Sequence, residues 1–97
     1  MSEFLYKLDQ KWIDKVKYFD EFALGGMQVT IRLRDGRVYK KILISNCQYI
    51  VAIRGFDILP FSLSDIDDIY QSDEDKNPSE KGNWKYWDEW ERPKKKF

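Results

Sequence analysis

The sequence predicts an α+β domain that is mainly β: an N-terminal helix, a small five-stranded barrel, and a short C-terminal aromatic helix or tail. Three observations predict this class. Apolar residues recur every fourth position near the N-terminus, they alternate with polar residues after position 26, and turn residues separate several short apolar runs. We expect a domain over residues 1–70, an acidic linker over 71–82 and a basic aromatic tail over 83–97.

The predicted helix lies close to the N-terminus. Phe4, Leu8, Trp12 and Val16 follow the spacing that aligns one face of an α-helix, and Ser2 can serve as its N-cap. We expect this apolar face to pack across a sheet.

The first predicted hairpin begins with a strand over residues 27–33, in which apolar and polar residues alternate. Asp35-Gly36 suits a two-residue hairpin turn, because both positions tolerate a positive φ. Such a turn places Leu33 opposite Val38. It also places Lys40 where an apolar residue is expected, which indicates a bulge or an open edge.

Three further short strands complete the predicted barrel. They cover residues 49–53, residues 58–61 and residues 66–70, of which the last can also form a single helical turn. Pro60 cannot donate a ladder hydrogen bond, so the second of these strands is expected at an edge. Residues 71–82 are polar and acidic and are expected to bury little.

The aromatic tail carries Trp84, Trp87 and Trp90, spaced by three residues and therefore close to one side of a short helix. It has three interpretations. The tryptophans can pack back onto the barrel as additional core, anchor a protein interface, or lie on a membrane surface.

Charge is segregated along a chain whose formal net charge is zero. Basic residues predominate over residues 25–61, acidic residues over 62–80, and basic residues again over 81–97. The outward face of the first hairpin is expected to gather cations around one aromatic ring, in Arg32, Arg34, Arg37, Tyr39 and Lys41. This face can contact a nucleic-acid backbone, or it can receive the acidic run of this chain or of another one.

Most catalytic and metal-binding chemistry lacks candidate residues. The chain has no histidine, and its single cysteine, Cys47, therefore has no imidazole to activate it. The run Asp73-x-Asp75 opens like a calcium-binding loop, but Pro78 and Trp84 occupy the positions of its glycine and terminal glutamate. We expect a protein that is not an enzyme and that uses no cofactor or metal.

The cellular location is predicted from the same features. A single cysteine suits a reducing compartment, the N-terminus lacks the pattern of a signal peptide, and no apolar run is long enough to span a membrane. We expect a cytoplasmic protein without a membrane span.

The barrel segment resembles the Sm-like family of RNA-binding small barrels. Ile53-Arg54-Gly55 is similar to the core of the second Sm motif, and the first Sm motif is matched by Val29, Ile31, Leu33, Gly36 and Leu43. Lys41 and Cys47 stand where that family has a second glycine and a base-binding aspartate. The resemblance implies an Sm-like or Src-homology-3-like barrel in which Arg54 helps to bind a base.

A further similarity points to a different kind of partner. The layout of a leading helix, Leu33-x-Asp35-Gly36 and a late Leu63-Ser64-Asp65-Ile66 is similar to Sm-like inhibitors of the bacterial terminator Rho. That similarity implies a protein that binds another protein.

Two functions remain open at this point. The first is a non-enzymatic protein-interaction module that acts as a regulator, inhibitor or immunity-type partner of another protein. The alternative is a small barrel that binds RNA or single-stranded nucleic acid. The candidate binding residues for both are Arg32, Arg34, Arg37, Tyr39, Lys41, Arg54, Trp84, Trp87 and Trp90. The oligomeric state stays open.

Overall fold

The computed structural model describes residues 6–87. In chain order they form helix α1 (Gln10–Val16), strands β1 (Gly26–Leu33), β2 (Val38–Ser45) and β3 (Tyr49–Ile53), a 3-10 turn (Leu63–Asp65), strand β4 (Ile66–Tyr70) and helix α2 (Asp73–Lys76). The strands build one antiparallel sheet in the order β3–β2–β1–β4, which leaves β3 and β4 at its edges. The described chain is therefore mainly β with two short helices.

The prediction of a closed five-stranded barrel is wrong, because the sheet that residues 6–87 form has four strands and is open. Residues 58–61 form no strand. Gly55 adopts φ +90° and the Phe56 N–H donates to the Ile53 carbonyl, so the chain turns sharply as soon as β3 ends. Pro60 has no N–H with which to bond to a neighbouring strand. The Phe61 ring packs against the Tyr39 ring, with 5.1 Å between the ring centroids.

The last predicted strand is present as β4 and is not a helical turn. It pairs antiparallel with β1, placing Ile69 opposite Ile31 and Ile66 opposite Leu33. Both pairs are buried, so the apolar positions of β4 join the core that β1 begins.

The N-terminal helix is shorter than predicted. It begins at Gln10, and the residues before it run along the edge of β3. The Leu8 N–H donates to the Gln48 carbonyl at 2.8 Å, and the Ile50 N–H donates to the Tyr6 carbonyl at 3.0 Å. Unpaired backbone groups at a strand edge favour an extended neighbour, which helical spacing alone does not reveal. Phe4 and Ser2, assigned to this helix, lie outside the described residues.

The first hairpin forms where predicted, but its register differs by one residue. Val38 lies opposite Arg32 rather than Leu33, because the loop has three residues instead of two. The Leu33 N–H donates to the Arg37 carbonyl, and Gly36 adopts φ +95° within the loop. The pairing shifts again where Lys41 adopts φ +57°, which is the bulge that Lys40 indicated.

The sheet buries apolar side chains on both faces. Its inner face carries the main core, to which α1 contributes Trp12 and Val16, and the sheet contributes Met27, Val29, Ile31, Leu33, Ile42, Ile44, Ile50, Ile53, Ile66 and Ile69. The outer face buries a smaller cluster of Leu43, Val51 and Ala52, covered by Phe22, Trp84 and Tyr86. A sheet covered on both faces removes more apolar surface from water than a sheet covered on one.

Residues 71–82, expected to bury little, contain one of the most buried polar side chains. Asp75, a residue of α2, is 1% exposed, and its side chain faces the outer side of β1. Its carboxylate accepts hydrogen bonds from Gln28 Nε2 at 2.8 Å, Thr30 Oγ1 at 2.8 Å and the Ser72 N–H at 2.9 Å. Such bonds are what allow a carboxylate to be buried. They attach α2 to the sheet, which composition alone could not predict.

Candidate interaction surface

The basic residues of the first hairpin do not share one environment. Arg32 donates from Nε and Nη2 to Asp67 at 3.0 and 2.7 Å, and this hydrogen-bonded pair raises the pKa of Arg32 above its ordinary value. Arg37 donates to Asp35 at 2.8 Å and contacts the Tyr39 hydroxyl at 3.3 Å. The acidic run of the same chain therefore neutralises part of the basic face.

Three other cations, Arg34, Lys40 and Lys41, lie exposed at the end of the hairpin. Among the described residues, the side chains of Arg34 and Lys40 form no hydrogen bond or ion pair, and both are exposed. Hydrogen bonds from the Ser79 N–H and hydroxyl are the main causes that lower the pKa of Glu74, and the charge of Lys41 lowers it further. Val38 is 43% exposed between these basic residues. We call Arg34, Arg37, Val38, Lys40 and Lys41 the hairpin surface.

The Tyr39 side chain lies on the opposite side of the sheet from the Val38 side chain. Its half-buried ring contacts Phe56 at 5.6 Å and Phe61 at 5.1 Å between centroids. Because Tyr39 lies opposite the buried Ile31, its ring belongs to the inner face. The sequence placed Tyr39 on the basic outward face, and the one-residue change in register moves it to the inner one.

Arg54 binds its own chain. Its guanidinium donates to the carbonyls of Gly82 at 2.8 Å and of Glu80 and Asn83 at 3.2 Å. It also stacks on the Trp84 ring, with 3.8 Å between the guanidinium carbon and the ring centroid. The groups that the Sm resemblance assigns to base binding are therefore occupied by residues 80–84.

The tryptophans of the tail do not lie on one side of a helix where the structure describes them. Trp84 covers the outer face, where its ring stacks with that of Phe22 at 6.5 Å between centroids. Trp87 packs against the inner core, where its ring meets that of Tyr6 edge to face at 5.7 Å between centroids. The Trp87 N–H donates to the Val51 carbonyl at the edge of β3. Trp90 lies outside the described residues.

A groove that the sequence did not indicate lies beside the outer-face cluster. It has a volume of about 240 Å³ and is lined by Phe22, Leu24, Gly25, Leu43, Trp84 and Tyr86, among others. Leu24 is fully exposed at its rim. The crowding of Phe22 and Leu24 after the first helix is the sequence signal that marks this region.

The acidic residues form ion pairs rather than a metal site. Asp67 binds Arg32 and Asp68 binds Lys15, and within residues 6–87 no three cysteine, aspartate or glutamate side chains converge as metal ligands would. Glu80 lies 3.8 Å from Arg54 Nε. The acidic segment therefore contacts the basic one within a single chain.

Cys47 lies in surroundings that disfavour the thiolate. Partial burial and the neighbouring Glu21 carboxylate, whose Oε2 lies 4.0 Å from Sγ, raise the pKa of the Cys47 thiol. A raised thiol pKa lowers nucleophilicity at neutral pH.

Comparison of the chain with protein-family models, with curated proteins and with solved structures finds no match. Between residues 6 and 87, no helix combines the length and the apolar character that a membrane crossing requires.

Proposed function

We propose that this chain is a non-enzymatic protein-interaction module, acting as a regulator, inhibitor or immunity-type partner of another protein, and that the hairpin surface contacts that protein. One observation carries the proposal. Arg34 and Lys40 are exposed without a side-chain partner among the described residues, and they flank the exposed apolar Val38. Protein-binding surfaces combine an apolar centre with a polar, solvent-accessible rim, and the hairpin surface has this arrangement.

The distribution of the remaining candidates supports the same function. Arg54 and Trp84 bind each other and hold residues 80–84 in place, so both act in the architecture of the domain. Trp87 is similarly engaged, through its indole N–H to the Phe56 carbonyl at 2.9 Å. Among the candidate residues that the structure describes, those left for a partner belong to the hairpin surface.

Photo-crosslinking tests this proposal. A photoreactive amino acid at Asp35, in the exposed hairpin loop, is expected to form protease-sensitive adducts with a defined protein in cells that produce this chain. The double variant Arg34→Glu/Lys40→Glu is expected to reduce these adducts about tenfold. It replaces two cations, which attract acidic groups of a partner, by carboxylates, which repel them. A probe at the exposed Lys11 in α1 is the matched control and should give a different adduct pattern. Adducts unaffected by the charge reversal would contradict the proposal.

RNA or single-stranded DNA binding is the second candidate function, and the cationic hairpin surface is the observation that favours it. Fluorescence titration with short labelled RNAs at low and moderate salt tests it. Nuclease-sensitive adducts at Asp35, together with RNA affinity that falls steeply with salt, would support this function instead. Affinity that does not depend on salt would argue against it.

A further inference from the structure

We propose that the hairpin end of β2 binds an extended acidic segment of the partner protein by strand addition, with the backbone of Val38 as the pairing site. This inference rests on the proposed function and specifies the chemistry of the partner and its mode of binding. The pairing of β2, its backbone orientation and the surrounding charge support it.

Strand β2 extends beyond the strand that covers its side. Pairing with β3 begins at Ile42, opposite Ile53, whereas β2 itself begins at Val38. Beyond Ile42 the Lys41 carbonyl accepts a hydrogen bond from the Arg54 N–H, and the chain then turns away at Gly55. The residues of β2 before Lys41 therefore face no strand on that side within the described chain.

The backbone of Val38 points to this uncovered side. The Leu33 N–H donates to the Arg37 carbonyl, which makes these two residues a hydrogen-bonded pair. Such pairs alternate along an antiparallel ladder, so Arg32 and Val38, the next pair, are not hydrogen-bonded to each other. The Arg34 N–H donates to the Asp65 carbonyl on the β4 side, as this alternation requires.

It follows that the Val38 N–H and C=O both point away from β1. The ladder pairs neither group with β1 or β3, and no other hydrogen bond reaches either of them from the described residues. A donor and an acceptor on one exposed residue are what an added strand needs for its first pair of hydrogen bonds.

The charge around this edge selects an acidic segment. Arg34, Arg37, Lys40 and Lys41 lie on or beside the uncovered end of β2. Asp35 offsets Arg37, which leaves an excess of positive charge at the edge. Acidic side chains on a paired strand would lie beside these cations, and opposite charges across a ladder stabilise the pairing.

The same edge favours a polypeptide over a nucleic acid. A phosphate oxygen can accept the Val38 N–H, but the adjacent Val38 carbonyl needs a donor beside that acceptor. An extended peptide backbone presents a donor and an acceptor on each residue that faces the edge, at the required spacing. The exposed Val38 side chain adds an apolar contact on the outer face.

Nuclear magnetic resonance with the full chain tests the inference. The probe is an end-blocked peptide of alternating glutamate and valine, about eight residues long, which is about the length of one strand. At low salt we expect shifts of the Val38 and Lys40 amides, and hydrogen exchange of the Val38 N–H slowed about tenfold or more on binding. The same peptide with alternate N-methylated residues keeps its charge but cannot pair, and should bind about tenfold more weakly.

Two variants separate backbone pairing from charge. Val38→Pro removes the donor at the first residue of β2, where proline is tolerated, and should weaken peptide binding about tenfold. Val38→Thr is the matched control, because it keeps the N–H and should bind like the parent chain. Arg34→Glu/Lys40→Glu should abolish binding at moderate salt.

Several results would overturn the inference: no binding of the acidic peptide, equal binding of its N-methylated form, or unchanged exchange at Val38 in the saturated complex. The N-methylated peptide decides the matter even if Val38→Pro fails to fold. Should the Asp35 crosslinks persist in Val38→Pro, the interaction module stands and strand addition is wrong. Should those crosslinks be absent altogether, the proposed function itself fails.

Discussion

Arg34 and Arg54 are both basic residues in a basic segment, but their guanidinium groups have different surroundings. Arg34 is exposed, whereas Arg54 is largely enclosed by Trp84 and by carbonyls of residues 80–83. A guanidinium with five donors can bind several carbonyls at once, and a loop without regular structure supplies such carbonyls. Arg54 therefore stabilises the domain and Arg34 remains available to a partner.

Replacing Arg54 by methionine is expected to lower the free energy of unfolding by about 1–3 kcal/mol, because carbonyl hydrogen bonds and the stacking on Trp84 are lost. Urea denaturation followed by tryptophan fluorescence measures this change. Arg34→Met is the control and should shift the free energy by about 0.5 kcal/mol or less, as exposed substitutions do. Equal effects of the two substitutions would contradict a structural role for Arg54.

Cys47 provides a second prediction for a single residue. Because burial and Glu21 raise its thiol pKa, alkylation by iodoacetamide at mildly alkaline pH should be slower than for an unstructured cysteine peptide. Glu21→Gln removes the neighbouring charge, brings the thiol pKa down and should speed alkylation about twofold or more. Asp20→Asn, at the adjacent position, should leave the rate unchanged. A rate insensitive to Glu21 would leave burial as the sole cause.

Among the elements of structure, the two edge strands avoid unwanted pairing in different ways. The edge of β3 is covered by Tyr6 and Leu8 from one end and by Trp87 from the other. The edge strand β4 instead carries Asp67 and Asp68, which bind Arg32 and Lys15. Charged side chains on an edge strand discourage a second copy from adding to the sheet. Within residues 6–87 the hairpin end of β2 has neither kind of protection, which agrees with the strand addition that we propose there.

We expect Asp67→Val to increase self-association, because it makes the edge of β4 more apolar and frees Arg32. Sedimentation velocity across a range of protein concentrations should show dimers or larger species that the parent chain lacks under the same conditions. Asp73→Val, on the exposed start of α2, is the matched control and should sediment like the parent. Identical sedimentation of all three proteins would show that Asp67 does not protect the edge.

Across the whole molecule, the first and last described segments meet at the edge of β3. Tyr6 and Trp87 contact each other, and both their backbones bond to β3, through Ile50 and Val51. Each segment alone makes few hydrogen bonds, so each is held partly by the other. This contact links residues at opposite ends of the sequence.

Trp87→Ala should therefore loosen the N-terminal segment as well as its own. We expect faster hydrogen exchange at the Ile50 N–H, which donates to Tyr6, although Trp87 forms no hydrogen bond with Ile50. The increase should be about fivefold or more relative to core amides of β1, since local opening exposes an edge hydrogen bond. Ile58→Ala, at a largely exposed apolar residue, is the control and should leave that exchange unchanged. An unaltered Ile50 amide in Trp87→Ala would mean that the two segments are held independently.

Local patterns in the sequence determined much of the architecture. The alternation before Leu33, the turn at Gly36 and the bulge signalled by Lys40 are properties of neighbouring residues, and the hairpin formed accordingly. Trp12 and Val16 mark the buried face of α1 for the same reason. The predicted register of the hairpin was wrong by one residue, because Asp35-Gly36 fits both two-residue and three-residue loops.

The tertiary structure alone decided the long-range partners. Nothing near Asp75 in the sequence indicates Gln28 and Thr30, and nothing near Arg54 indicates Trp84 or the carbonyl of Gly82. The edge left open at Val38 likewise depends on where β3 stops and where Gly55 turns the chain. Periodicity and turn chemistry act over a few residues, whereas these contacts depend on how distant segments fill the same space during packing, which a local pattern does not encode.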